Sequence, residues 1–160
     1  MTLYNRIMVA VDFSTYSLNA VNHGASLARR LNADLILINV LNQRDVEAVE
    51  RVLVGHLEFR VEHYILQQRE ERARRLREML SEIGAADLPV KIVVEVGVPY
   101  LVLLDQIDAE KADLLIMSTK GRSNLVDTVI GSCAQKMYRR CPVPLLSLRP
   151  EKTLNLKSQS

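Results

Sequence analysis

The stretch DLLIMSTKGRSNLVDTVIGSCAQKMYRR, residues 113–140, contains one complete strand–loop–helix unit. An apolar run of strand length, DLLIMS (113–118), leads into a turn at Gly121. A second glycine, Gly131, stands just before Ser132, and the segment closes on KMYRR ahead of Cys141 and Pro142. A residue before proline is pushed away from helical backbone, so the spacing predicts a helix over 122–140 that stops there. The run itself is apolar on both faces, the pattern of a parallel strand buried between two helix layers.

The same unit recurs outward along the chain. Strand-length apolar runs appear at IMVAV (7–11), DLILINV (34–40), VKIVVEV (90–96) and VPLLSL (143–148), with helix-length segments between them. After the first run, Ser14 is a candidate N-cap, and Leu18, Val21, Ala25, Ala28 and Leu31 mark one helix face. A long helix is expected over 62–83, stopped by Gly84 at its C′ position. Pro99 suits the first turn of a helix reaching about residue 112. Residues 41–61 read as an irregular excursion. This alternation predicts an α/β fold, a doubly wound, Rossmann-like, five-stranded parallel sheet with helices on both faces. With strand order 3-2-1-4-5, Asp12 and residues 118–121 flank the point where the order reverses, where such sheets bind ligands.

The 160 residues suggest one domain over 1–150 and a polar tail over 151–160. A chain this long buries roughly 70% of its unfolded surface and needs neither metal nor disulfide to fold. The net charge of +2 is too small to argue for a nucleic-acid or anionic-membrane partner, and none is expected. Two cysteines, Cys133 and Cys141, fit no CxxC or metal spacing and suit a reducing compartment. No run approaches the roughly 18 apolar residues of a membrane span, and no signal-peptide core precedes Asp12. A cytoplasmic protein is the expectation.

A phosphate site needs converging backbone N–H groups, which side chains obstruct and glycine leaves open. A helix N-terminus adds unpaired donors and a favourable dipole. Gly121 and Gly131-Ser132 supply such a backbone, with Lys120, Arg122, Ser123 and Asn124 in the same loop. A tight turn at Gly121 and close helix packing at Gly131 explain the spacing equally well. Neither a Walker A sequence nor GxGxxG is present. Asp12 reads as a site residue or as a simple turn or cap.

Other chemistries find less support. His56 and His63 lack a third ligand for zinc. Arg69, Arg72, Arg74, Arg75 and Arg77, interleaved with Glu70, Glu71 and Glu78, read as a solvated helix face with internal ion pairs. Ser132 has no histidine placed to activate it, and the two cysteines read as small buried residues. A phosphoacceptor receiver would want an acidic residue ending the third strand, where Val96-Gly97 stands.

Over residues 4–149 the chain resembles the single-domain universal stress protein family. The nucleotide-binding members carry G-x2-G-x9-G-[ST] after the fourth strand. Here Ser118-Thr119-Lys120-Gly121, nine residues and Gly131-Ser132 match it, with Ser118 replacing the first glycine. VAVDFS (9–14), INV (38–40), GVP (97–99) and CPVPLLSL (141–148) add to the likeness. The resemblance implies ATP with Mg²⁺ or Mn²⁺ held through the phosphates. It places Ala10, Val11 and Asp12 along the adenosine and the main chain of Val40 at the adenine edge. Met117 and Ser118 would meet the ribose and adjoining phosphate, and Gly121, Arg122, Gly131, Ser132 and Cys133 the phosphates. It also implies a homodimer paired through residues 143–148, an apolar edge strand that natural proteins protect.

The expected function is an ATP-binding stress-response protein that works as a nucleotide-dependent regulatory dimer. A nucleotide-free interaction module of the same family is the alternative, favoured by Ser118. A slow ATPase ranks behind both, since no general base or arginine finger stands out.

Overall fold

The computed structural model describes residues 3–56, 58–121 and 130–150. In chain order the elements are β1 (Arg6–Ala10), α1 (Ser17–Leu31), β2 (Asp34–Asn42), α2 (Gln43–Leu53) and α3 (Val61–Glu82). Then come β3 (Val90–Gly97), α4 (Pro99–Ala109), β4 (Leu114–Ser118), α5 (Ser132–Arg140) and β5 (Leu145–Leu148). The strands form one five-stranded parallel sheet in the order β3-β2-β1-β4-β5. Order and fold class are those read from the sequence.

Strand alternation divides the core into two layers. Ile7, Val9, Leu35, Leu37, Leu114 and Ile116 face one side, packed under α1 and α3 with Val21, Ala25 and Leu76. Met8, Ile36, Ile38, Leu115 and Met117 face the other, under α4 and α5 with Leu103, Ile107 and Met137. Both faces of β1 and β4 are therefore buried, which is why those runs are continuously apolar. Gly24 permits α1 to press on the sheet, because a Cβ there would collide with the Val9 side chain.

Several helix boundaries follow the expected signals. Gly84 ends α3 in the left-handed region at φ 70°. Pro99 opens α4, and α5 stops at Arg140 with Cys141 extended at φ −62°, ψ 122°. The expected end of α4 at residue 112 is too late. Lys111 turns left-handed at φ 55°, and the Ala112 N–H donates back to the Ile107 carbonyl at 3.0 Å.

Other readings change. Residues 41–61 are not simply irregular, since β2 runs on to Asn42 and α2 follows. Asn42 caps that helix by accepting from the Arg44 N–H at 3.1 Å. Ser14 is not the cap of α1, whose N-cap position is Tyr16. Its hydroxyl instead accepts from the Tyr16 N–H at 3.3 Å, within the turn before the helix. The last helix begins at Ser132 rather than 122, for Ile130 and Gly131 are non-helical. Residues 122–129 and the tail 151–160 lie outside the described residues.

The arginine-rich face of α3 is only partly solvated. Arg69 pairs with Glu95 at 3.3 Å, and Arg74 with Glu71 and Glu78, each at 2.6 Å. Exposed pairs of this kind contribute little to stability. Arg72 departs from the pattern, being only 8% exposed. Among the described residues no helix is long and apolar enough to cross a membrane.

Candidate functional site

The strand order reverses between β1 and β4, because the chain leaves β1 for β2 on one side and β4 lies on the other. The loops after β1 and β4 lead to helices on opposite faces of the sheet, so a crevice opens between them beyond the strand ends. Here it is a cavity of about 540 Å³. Ala10, Val11 and Asp12 enter it from the end of β1, Val40 from β2, and Met117 and Ser118 from β4. Gly121 lines it from the following loop, and Gly131, Ser132 and Cys133 from the start of α5. Arg122, the remaining candidate, lies outside the described residues.

Its two ends differ in character. Toward β2 and α4 the walls are mainly apolar, formed by Ile38, Val40, Pro99 and Leu103, with Asn42 and Asp45 as polar groups on that side. Toward β4 and α5 they are polar, formed by Thr119, Lys120, Gly121, Gly131 and Ser132. Such a cavity can take a flat apolar ring at one end and an anion at the other.

Asp12 links the two loops at the crevice. Its Oδ1 accepts from the Ser14 N–H at 3.0 Å and from the Ser17 hydroxyl at 2.8 Å. Its Oδ2 faces Gly121 so closely that a Cβ on that glycine would stand 2.7 Å away. Asp12 is thus both turn residue and cavity residue, and the two readings of it coexist. Phe13 follows in the left-handed region at φ 60°. A bulky residue held there costs roughly 1–2 kcal/mol, and strain of this kind gathers at functional sites.

The two glycines have different roles. Gly131 has φ −57° and ψ 150°, which any residue adopts, and its N–H donates to the Thr119 carbonyl at 2.9 Å. Its carbonyl accepts the first helical bond, from Gln135 at 3.0 Å. The N–H groups left to face an anion are therefore those of Ser132, Cys133 and Ala134, at the positive end of the helix dipole.

Ser118 sits in regular strand conformation and pairs with Leu148. Its hydroxyl donates to the Tyr16 carbonyl at 3.3 Å. No left-handed backbone requires glycine at this position, so serine is accommodated without strain.

Cys133 offers little nucleophilicity. Burial pushes its thiol up to about 11, the Asp12 carboxylate adds to the effect, and Lys136 opposes it. Among the described residues no group of three His, Cys, Asp or Glu is placed to hold a metal ion.

The sequence reading missed Asn39, Asn42, Asp45 and Thr119, all of which line the cavity. Signals were available. Asn39 interrupts the apolar run DLILINV, and a buried amide must find hydrogen-bond partners. Asn42 and Asp45 carry a helix-start signal, a capping residue and a first-turn acid ahead of Val46, Val49 and Leu53, which is lost when the segment is read as irregular.

Comparison with known proteins adds an independent line. Residues 3–149 match the sequence model of the Universal stress protein family. Universal stress protein MJ0531 of Methanocaldococcus jannaschii is 26% identical over 152 residues, covering 94% of this chain and 85% of that one. The structure of MJ0577, from the same organism, superposes with a TM-score of 0.77 at 21% identity, covering 94% and 99% of the two chains. A universal stress protein solved in complex with cAMP gives a TM-score of 0.60 at 25% identity, covering 91% and 96%.

Proposed function

The chain belongs to the universal stress protein family, and from that membership and the cavity at its strand ends we propose that it binds ATP with Mg²⁺ or Mn²⁺ and acts as a cytoplasmic, nucleotide-dependent regulatory dimer. One observation carries the reading. The Asp12 carboxylate and the bare backbone of Gly121 meet at the switch point, beside the N-terminus of α5. In this reading the apolar end of the cavity takes adenine, with the Val40 main chain at its edge. Ala10, Val11 and Asp12 lie along the adenosine, and Met117 and Ser118 reach the ribose and the first phosphate. Gly121, Arg122 and the start of α5 at Gly131, Ser132 and Cys133 surround the phosphates. The cation is held by phosphate oxygens, as Mg²⁺ commonly is.

The adenine nucleotide in the cAMP complex of a 25% identical relative supports this ligand class. Ser118 does not argue against it, since its hydroxyl is turned to the Tyr16 carbonyl and its backbone is unstrained. The dimer forms through the edge strand β5, and the bound state rather than turnover is the working state.

Titration calorimetry with ATP and Mg²⁺ tests the proposal. The expected dissociation constant is micromolar, about −8 kcal/mol. Absence of heat at millimolar nucleotide would overturn it. Steady ADP release near the usual enzyme rate of about 10 per second would show turnover to be the working mode instead.

A further inference from the structure

We propose that Arg72 is a positioning residue for the strand-end cavity, acting from α3 through Asn39 on the Val11–Asp12–Phe13 segment. The inference deepens the nucleotide reading above and rests on it.

Leu35 and Leu37 pack in the core layer under α1 and α3, so Asn39, two residues further along β2, points into the same layer. It is 1% exposed, and its amide is paired at both ends. The Nδ2 group donates to the Val11 carbonyl at 2.7 Å, and Oδ1 accepts from Arg72 Nη1 at 2.8 Å. The Val11 N–H is itself fixed, donating to the Ile38 carbonyl at 2.8 Å. Both polar backbone groups of the residue preceding Asp12 are thereby held, one of them by a side chain that Arg72 orients.

Phe13 provides a second observation on the same helix. Its left-handed backbone is unfavourable for an aromatic residue, and its ring is held from α3. The Arg75 guanidinium lies 3.9 Å from the ring centroid and that of Arg72 6.0 Å. Two arginines one helical turn apart thus reach either side of Asp12. Neither lines the cavity, so neither is placed to touch a ligand there.

Removing Arg72 takes a donor from the buried Asn39 Oδ1, which costs stability as well as alignment, so the test must separate the two. What arginine supplies that methionine cannot is a directional donor that fixes the Asn39 amide. Without it the amide is free to turn, the Val11 carbonyl loses its partner, and Asp12 loses its alignment with Gly121.

The test compares Arg72→Met, Arg72→Lys and Leu76→Ala, the last removing a fully buried side chain one turn along the same helix. Two readouts are used, the affinity for Mg²⁺–ATP and the amide exchange of Ser14. The Ser14 N–H is bonded to Asp12 Oδ1, and its exchange is scaled to that of Leu115, which is bonded to the Pro144 carbonyl. Arg72→Met is expected to weaken nucleotide binding about tenfold and to speed Ser14 exchange relative to Leu115 by a similar factor. Arg72→Lys, which keeps one donor and the charge, should recover most of both. Leu76→Ala should lower the melting temperature while leaving affinity and relative exchange unchanged. Wild-type affinity together with wild-type Ser14 protection in Arg72→Met overturns the proposal. So does an equal loss in Leu76→Ala, which would make the effect one of stability alone. Should Arg72→Met fail to fold, Arg72→Gln takes its place in the same comparison. If the wild type binds no nucleotide, the functional reading falls, and Ser14 exchange alone decides the role of Arg72.

Discussion

A methyl group at Gly121 would stand 2.7 Å from Asp12 Oδ2, closer than real contacts of this kind. Gly121→Ala should therefore displace the Asp12 carboxylate and weaken Mg²⁺–ATP binding tenfold or more. Because that carboxylate is bonded to the Ser14 N–H and the Ser17 hydroxyl, its displacement should also cost about 1 kcal/mol of stability. Calorimetry and a melting curve check the two halves. Gly131→Ala is the contrasting case, because its Cβ would meet the Thr119 carbonyl at an ordinary 3.5 Å. That variant should fold as the wild type does, so any loss of affinity reports how near the phosphates come. Cys133 carries the prediction for pH. At pH 8 a thiol raised to about 11 is roughly one part in a thousand thiolate, against about a quarter for an ordinary cysteine near 8.5. Iodoacetamide should label Cys133 roughly 250-fold more slowly than a free thiol, and tenfold faster per pH unit until about 11. Asp12→Asn, which removes the neighbouring negative charge, should speed labelling. Site-resolved mass spectrometry gives the rates, and fast labelling at pH 8 would show the environment to be wrongly described.

At the scale of an element, β5 forms one edge of the sheet among the described residues, where it pairs with β4. The Pro144 and Leu148 carbonyls accept from the Leu115 and Thr119 N–H groups at 3.0 and 2.9 Å. Neighbouring residues on a strand turn their backbone groups to opposite edges, so Leu146 also faces β4. Leu145 and Ser147 then face the open side, where a second β5 would add. Proline at Ser147 removes only an outward donor, whereas proline at Leu146 removes a bond within the subunit. Ser147→Pro should give a monomer with nearly unchanged melting temperature, and Leu146→Pro a destabilised protein. Light scattering and thermal melts separate these outcomes. A Ser147→Pro protein that remains dimeric would place the interface elsewhere.

At the scale of the whole molecule, the cavity joins both loops at the switch point to the ends of three strands. A ligand that binds only this assembled state must stabilise the entire fold. ATP with Mg²⁺ at one hundred times its dissociation constant contributes about 2.7 kcal/mol. For a domain near 150 residues that corresponds to a rise of roughly 5–10 °C in melting temperature. In Gly121→Ala, with affinity tenfold weaker or more, the rise should fall to about half or less at the same nucleotide concentration. A flat response in the wild type would count against an assembled nucleotide site.

The runs IMVAV, DLILINV and DLLIMS by themselves determined a parallel sheet, because strands apolar on both faces must be covered on both faces. Gly84 and Pro99 determined their helix boundaries for equally local reasons, a left-handed φ and a preset one. Asn42 and the apolar spacing of Val46, Val49 and Leu53 after it are local signals of α2 that the reading of 41–61 as irregular passes over. The spacing of Gly121, Gly131 and Ser132 located the candidate site without showing how each residue serves it. Only the tertiary structure separated Gly121, pressed on Asp12, from Gly131, bonded into the turn. It alone also distinguished buried Arg72 from the solvated arginines beside it. On a helix their charges alternate alike, and periodicity specifies a face without naming what that face meets. Arg72 is buried because Asn39 lies at its level on β2, and Asp12 meets Gly121 because β1 and β4 are neighbours. Those contacts join residues far apart in the chain, so they are set by the order in which the strands pair.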